Sequence, residues 1–170
     1  MRRLAALALA LLSACTTLEL AGRPVTRPAG DEGMVTYVVG RLSFEAPSTW
    51  PATGDDRRVR IASPQGVARI EVDAVARPVA GEAECLADAE TVLGRGAGGL
   101  SNVRRHPTSF AGRRALVQEG DQGDWHGWAY AVCDGTTQYR IWITGVSPMN
   151  QEALEAHRML VASAQLGAAP

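Results

Sequence analysis

The chain has 170 residues, of which 46% are hydrophobic, and this length and composition fit one ordinary globular domain. All 17 basic residues are arginines, and 18 acidic residues bring the net charge to −1. This balance excludes a basic surface for nucleic acid and a polybasic segment for anionic lipid.

The first 15 residues have the layout of an export signal that ends at a cysteine. Arg2 and Arg3 precede an uncharged run, Leu4 to Leu12, which is too short to cross a bilayer as a helix. The sequence Leu12-Ser-Ala-Cys15 follows and resembles the lipobox of bacterial lipoproteins. The resemblance implies removal of residues 1–14 and acylation of Cys15. The alternative is an ordinary secretory signal whose cleavage region contains a cysteine.

Lipidation of Cys15 predicts a protein that is anchored to a membrane without spanning it. Two or more acyl chains give stable anchoring, whereas one chain gives only marginal affinity. Thr16 stands where an aspartate would resemble an inner-membrane retention signal, so we expect the outer membrane, facing the periplasm. Once Arg2 and Arg3 are removed, 15 arginines remain against 18 acidic residues, a net charge of −3.

The remaining chain divides into a tether and a single domain. Residues 15–33 contain scattered proline and glycine without periodicity, which predicts a flexible tether. Residues 34–170 form the predicted globular domain. Its first part alternates apolar and polar residues, and this pattern predicts strands near 35–39, 41–45, 58–62 and 68–75.

A change of period predicts a helix over residues 81–93, and the glycine-rich run 94–99 ends it. Because those glycines follow a helix rather than open one, a helix stop is favoured over a nucleotide-binding loop. Asp134-Gly135 is a strong hairpin signal, and a last helix is predicted over about 151–166. The strands predicted between the two helices lie near 101–106, 114–119, 128–133 and 138–144.

The order of strands, helix, strands and helix predicts an α+β fold, in which an antiparallel sheet packs against helices. The chain contains the segment Ser43-Phe44-Glu-Ala-Pro47-Ser-Thr-Trp50, and later a segment from Tyr139 to Gly145 that leads into the last helix. These segments and the element order resemble the PsbP-like fold over most of residues 34–166. The resemblance supplies no catalytic residue and implies no cofactor.

Cys85 and Cys133 are the cysteines that remain once Cys15 is acylated. Two cysteines in a protein of an oxidising compartment predict a disulfide between them. The bond closes a loop of roughly fifty residues, for which the loop-entropy model gives about 4 kcal/mol of stabilisation. The alternative, two free thiols in redox or metal chemistry, is disfavoured because they are far apart and do not complete a zinc site.

The segment from Asp121 to Trp128 carries the densest set of chemically active side chains. Its acidic residues and histidine, together with Glu119, are candidates for a divalent cation, and its tryptophans are candidates for stacking on a ring or sugar. The spacing matches neither an EF-hand loop nor a zinc helix, so we predict no metal site. The alternative is a polar loop between two strands. The speculative ligand-binding residues are Asp121, Asp124, Trp125 and His126.

Two functions are compatible with the sequence, and neither is enzymatic. No Gly-x-Ser-x-Gly motif occurs, and the three histidines lie on different predicted elements. The leading hypothesis is a non-catalytic module that binds an envelope protein or cell-wall partner, which predicts an exposed apolar patch on the sheet or near Trp50. The other is a small-ligand or metal binder, which predicts a pocket where Trp125 and His126 converge with acidic groups.

Overall fold

The computed structural model describes residues 24–28, 33–96, 100–147 and 150–167. Two antiparallel sheets and two helices make up the fold, and most of the described residues lie in strands. The elements, in chain order, are β1 (Val25–Pro28), β2 (Met34–Val39), β3 (Leu42–Pro47), β4 (Ala52–Gly54), β5 (Arg58–Ala62), β6 (Ala68–Ala76), α1 (Glu82–Gly96), β7 (Ser101–Phe110), β8 (Arg113–Gln122), β9 (Trp125–Asp134), β10 (Thr137–Val146), α2 (Gln151–Ser163) and β11 (Gln165–Leu166).

The larger sheet has seven strands in the order β4-β5-β6-β10-β9-β8-β7. Its last four strands form a meander of ten-residue strands joined by short turns. The smaller sheet has four strands in the order β1-β2-β3-β11. A long connection within the larger sheet runs from β6 through α1 to β7, so α1 carries the chain from the middle of this sheet to its far edge.

The two helices lie on opposite faces of the larger sheet. Successive residues of β10 show this, because strand side chains alternate between the faces. The Gln138 amide donates to the backbone oxygen of Cys85 on α1, whereas Tyr139 beside it belongs to the core that includes Leu160 of α2. We call these the α1 face and the α2 face. The smaller sheet also lies on the α2 face.

The main core fills the space between the α2 face, α2 and the smaller sheet. Its largest fully buried side chains include three aromatic residues from the sheets, and burying each such side chain stabilises the fold by roughly 1.5–3 kcal/mol. Asn150 fixes the start of α2, since its side-chain oxygen accepts from the Glu152 backbone N–H at 2.7 Å. The largest members of this core are Phe44, Tyr139, Phe110, Leu42, Ile61, Ile70, Ile141, Ile143 and Leu160.

Cys85 and Cys133 form a disulfide, as the sequence predicts. It joins the first turns of α1 to the end of β9, with a Cα–Cα distance of 6.2 Å, and both cysteines are fully buried. Beyond the bond, α1 packs Ala89 and Leu93 against Ala131 of β9 in a separate small core. The helix is therefore held covalently near its N-terminal end and by apolar packing further along.

Asp134 joins the two sheets. Its carboxylate is mostly buried and accepts from Arg41 Nη1 at 2.8 Å and from Arg113 Nη2 at 3.2 Å. Arg41 lies in the turn between β2 and β3, and its backbone N–H donates to the Tyr139 hydroxyl at 3.0 Å. We call these contacts the Asp134 clamp, because they tie the smaller sheet to β9 and β10.

The α+β expectation is confirmed in its broad form, but the arrangement differs in three respects. The strands form two sheets instead of one, and strand β11 follows the last helix. Part of the predicted tether is β1, which pairs with β2 from Val25 to Pro28. Proline is tolerated there because β1 is an edge strand and Pro28 is its last residue. Residues 15–23 and 29–32 of the predicted tether lie outside the described residues.

Candidate functional site

The segment predicted as a polar loop is a tight hairpin. Only Gly123 and Asp124 separate β8 from β9, and Gly123 adopts a φ of +58°, which suits glycine. Pairing is continuous from the turn, with Gln122 opposite Trp125. Because adjacent strand residues point to opposite faces, Trp125 belongs to the α1 face and His126 to the α2 face. The four predicted ligand-binding residues therefore do not form one site.

A cavity of about 260 Å³ opens on the α1 face, beneath the C-terminal part of α1. We call it the α1 cavity. Strands β8, β9 and β10 form its base, and tryptophans from β9 and β10 line it together with aliphatic side chains from α1. The residues that line it are Val92, Leu93, Leu100, Gln118, Gly120, Gln122, Trp125, His126, Gly127, Trp128, Ala129, Trp142 and Thr144.

Two glycines paired across β8 and β9 leave this space unfilled. Gly120 lies directly opposite Gly127, so neither strand supplies a side chain at this position. Gly127 is required by packing, since a Cβ there would lie 2.7 Å from Thr144 Cγ2 and 2.8 Å from the backbone oxygen of Ile143. The tryptophans Trp125 and Trp142 lie on either side of this gap along the sheet.

The α1 cavity is mostly apolar inside, and two arginines lie at its border. None of its described lining residues is acidic or an arginine. The Arg69 guanidinium carbon lies 4.6 Å from the centre of the Trp125 ring, a cation–π contact. Arg105 donates from Nε to the Gln118 side-chain oxygen at 3.0 Å. The site is thus apolar inside with positive charge near its edge.

The α2 face of the same hairpin carries a polar cluster centred on His126. Its Nδ1 lies 2.5 Å from Asp121 Oδ1, and its Nε2 lies 3.1 Å from Glu119 Oε1. Asn102 donates to the other Asp121 oxygen at 2.7 Å. The Asn102 hydrogen bond, followed by the His126 bond, lowers the pKa of Asp121 below its usual value. The cluster therefore favours the ionised carboxylate of Asp121.

This cluster does not form a metal site. The carboxylates of Glu119 and Asp121 contact opposite nitrogens of the His126 ring, so the three groups do not converge on one point. Among the residues that the structure describes, no group of three or more His, Cys, Asp or Glu side chains is arranged to hold a metal ion. The divalent-cation alternative considered from the sequence thus lacks a matching geometry in this part of the chain.

An aromatic stack continues the cluster toward α2. The His157 ring lies parallel to the Trp128 ring at 4.0 Å between centroids, and its Nε2 is 2.7 Å from the Tyr130 hydroxyl. Burial lowers the pKa of His157, with Glu119 opposing and Arg158 adding to the shift. Burial also raises the pKa of Tyr130. These side chains pack α2 onto the sheet with a neutral histidine.

The remaining predicted residues have no shared role. The Asp124 side chain is exposed in the hairpin turn, where its backbone oxygen accepts from the Ser147 N–H at 2.6 Å. Trp50, where an exposed apolar patch was expected, is only 7% exposed. Cys15 and the whole predicted lipobox lie outside the described residues.

Sequence reasoning identified Trp125 but missed the other groups that shape the α1 cavity. Trp142, Gly120 and Gly127 were not singled out as site residues. A signal existed in the spacing, because Gly120 and Gly127 are equally distant from a turn centred on Gly123-Asp124, and such residues face each other in a two-residue hairpin. The position of the end of α1 above this gap had no comparable signal.

In the described part of the chain, neither helix is long and apolar enough to cross a membrane.

Comparison with known proteins identifies the fold alone. No protein-family model matches the chain, and no curated protein matches it by sequence. The solution structure of cyanobacterial PsbP (CyanoP) from Synechocystis sp. PCC 6803 is similar, with a TM-score of 0.60 and 11% identity over 83% of this chain and 96% of that one. A crystal structure from Bacteroides thetaiotaomicron VPI-5482 aligns with a TM-score of 0.44 and 9% identity, over 75% of this chain and 45% of that one. The described part of the chain thus has a PsbP-like fold.

Proposed function

We propose that this protein is a lipid-anchored binding module of the cell envelope that acts without catalysis and holds a small ligand in the α1 cavity. The cavity itself is the observation that carries the proposal. Clefts lined by apolar and aromatic side chains with a few polar groups are the usual form of small-molecule sites. The α1 cavity has this composition, with Trp125 and Trp142 beside Gln118, Gln122 and Thr144.

The described surface supports a small ligand over a protein partner. A partner-binding module is expected to expose a contiguous apolar patch. The large hydrophobic side chains exposed among the described residues are Val25 and Val103, which lie in different sheets. Trp50 is buried and offers no such patch. The α1 cavity offers apolar and aromatic surface of the kind that a small ligand buries.

The lining also supports binding without catalysis. Covalent catalysis requires a nucleophile and a base within hydrogen-bond reach. His126 is among the lining residues, but the polar side chains that the lining presents on the α1 face are the Thr144 hydroxyl and the amides of Gln118 and Gln122. The His126 side chain contacts Asp121 and Glu119 on the other face of the sheet. Glutamine is not a general base at neutral pH, so the set lacks an acid–base pair.

Membrane anchoring is the second part of the proposal and is supported by the sequence from Arg2 to Cys15. Replacing Cys15 with Ser removes the thiol that would be acylated. We expect this variant to leave the membrane fraction for the soluble periplasmic fraction, because a protein without acyl chains lacks the anchor. Persistent association of Cys15→Ser with membranes would refute the lipoprotein assignment.

Native mass spectrometry of the protein isolated from its own envelope tests the binding function. We expect a non-covalently retained small molecule, which Ala129→Leu displaces by extending a side chain into the α1 cavity. Ala87→Leu, the same change at an exposed position of α1, is the matched control and should retain the molecule. Retention by both variants would place binding elsewhere, and a bare protein in every sample would count against a binding module.

A further inference from the structure

We infer that the α1 cavity selects an aromatic anion of one or two fused rings, with its ring between Trp125 and Trp142 and its negative charge directed to Arg69. The inference rests on the proposed binding function and adds the chemical class of the ligand. Three independent features of the site carry it: the volume of the cavity, the side chains that form its sides, and the charges at its edge.

Volume sets the size of the ligand. A buried apolar cavity of about 150 Å³ holds one benzene ring, whereas drug-sized ligands occupy clefts of about 300–1,000 Å³. The α1 cavity, at about 260 Å³, lies between these limits. It is larger than a single ring requires and smaller than an extended ligand needs, so one ring with a substituent or two fused rings fit.

The sides of the cavity favour a flat ring. Trp125 and Trp142 supply aromatic surface on two sides of the gap above Gly120 and Gly127. Aromatic groups gain about 0.5–1.5 kcal/mol beyond their area burial when they pair in offset-stacked or edge-to-face arrangements. Leu93 of α1 adds an aliphatic surface on another side. A planar apolar ring gains contact from each of these, whereas a fully hydroxylated sugar would leave most hydroxyls without partners.

The charges at the edge favour an anion. On the α1 face of β5 and β6, Arg58 pairs with Asp73 and Arg60 pairs with Glu71. Arg69 of the same face makes no ion pair with any described residue, and its guanidinium packs on the face of the Trp125 ring. Arg105, which is bonded to Gln118, adds a second positive charge near the cavity. An anionic substituent thus meets positive charge and no lining carboxylate.

Paired probes with the same rings separate the ring preference from the charge preference. We would titrate 2-naphthoate and its neutral analogue 2-naphthamide against the full chain in lipid nanodiscs, with empty nanodiscs as the blank. Tryptophan fluorescence and calorimetry give the affinities. We expect 2-naphthoate to bind about tenfold more tightly than 2-naphthamide, because only the carboxylate can form an ion pair with Arg69.

Variants assign the contributions to residues. Arg69→Gln should remove the tenfold preference for 2-naphthoate, whereas Arg158→Gln, which changes an exposed arginine on α2, should retain it. Trp142→Ala should weaken both probes, and Ala129→Leu should abolish binding of both. Arg69 and Arg158 are exposed, so the charge test does not depend on a disrupted core. Circular dichroism at each titration temperature verifies that every variant is folded.

The outcomes distinguish the ligand class from the binding function. Equal affinities for the two probes, or a preference that survives Arg69→Gln, would overturn the proposed anion selectivity. If neither probe binds while the envelope-derived protein retains a molecule displaced by Ala129→Leu, the ligand class is wrong and the binding function stands. If neither probe binds and no molecule is retained, both proposals fail.

Discussion

On the α2 face of the larger sheet, β9 carries Trp128 and Tyr130, and these side chains meet α2. On the α1 face of the same strand, the neighbouring positions are Gly127 and Ala129, and a cavity of about 260 Å³ lies above them. One strand therefore supplies a filled core and an open site at once. Because successive strand residues point to opposite faces, one strand can carry large side chains on one face and small ones on the other. A stable sheet can therefore hold a cavity on one face without losing the core on the other.

Removing the disulfide is expected to have the largest effect on stability, because this bond fixes α1 to the α1 face. Replacing both Cys85 and Cys133 with Ala opens a loop with a sequence separation of 48. We expect the free energy of unfolding to fall by about 4 kcal/mol, from the loop-entropy model. Urea unfolding of the variant and of the parent chain measures this. A loss below about 1 kcal/mol would mean that packing alone holds α1 in place.

Adjacent residues of β10 give a matched test of the two faces. Ile141 is fully buried in the main core, whereas Trp142 is half-buried beside the α1 cavity. Ile141→Ala should cost about 3 kcal/mol, the transfer and cavity terms for a fully packed site. Trp142→Ala should cost only about 1 kcal/mol, because its surroundings already contain empty space. Equal costs in urea unfolding would show that the two faces are packed to the same density.

The substitution Gly127→Ala tests whether close packing around Gly127 excludes a side chain at this position. The added Cβ would lie 2.7 Å from Thr144 Cγ2 and 2.8 Å from a backbone oxygen, so Gly127→Ala should destabilise by about 2 kcal/mol. The control is Gly94→Ala in α1, where the added Cβ would lie 3.6 Å from Arg105 Nη1, its nearest neighbour outside the helix, and alanine is the better helix former. The control should be neutral or stabilising in thermal unfolding. A harmless Gly127→Ala would show that β10 shifts to admit a side chain.

The smallest expected effect is a pH dependence of the free energy of unfolding that comes from His157, which packs on the α2 face. Burial lowers the pKa of His157 below 6.5, so the unfolded chain binds its proton at a higher pH than the folded chain. The free energy of unfolding should therefore fall as the pH drops through 6.5, and this contribution should level off below the folded-state pKa. Urea unfolding at pH 7.5, 6.5 and 5.5 should show a weaker dependence for His157→Gln, which lacks the titrating ring. Identical pH profiles would contradict a buried neutral His157.

Local patterns predicted most of the strands because alternation is a property of short segments. The hairpin β5–β6 was predicted to within a residue at its ends, and Asp134-Gly135 correctly predicted the hairpin β9–β10, whose turn is Gly135-Thr136. The strand β1 was missed because Val25–Pro28 is too short to show a period and is flanked by proline and glycine. This strand pairs with β2, and such a tertiary contact leaves no pattern within the short segment itself.

The site was harder to predict because it depends on which face each residue meets. Trp125 and His126 were grouped since they are adjacent in sequence, yet a two-residue turn keeps them in one strand and sends them to opposite faces. A longer loop would have allowed both side chains to converge. The α1 cavity also depends on where the C-terminal part of α1, around Leu93, lies above the sheet. That position follows from long-range packing and from the Cys85–Cys133 bond.

The Asp134 clamp gives the molecule a defined response to mechanical load. Force applied to the chain ahead of residue 24 first reaches β1, which has four residues and pairs with β2 alone. Load that passes beyond the smaller sheet is shared among the short connection from β3 to β4, the main core and the contacts of Arg41 with Asp134 and Tyr139. Pulling should therefore detach β1 while the seven-stranded sheet, with its cavity, keeps its shape.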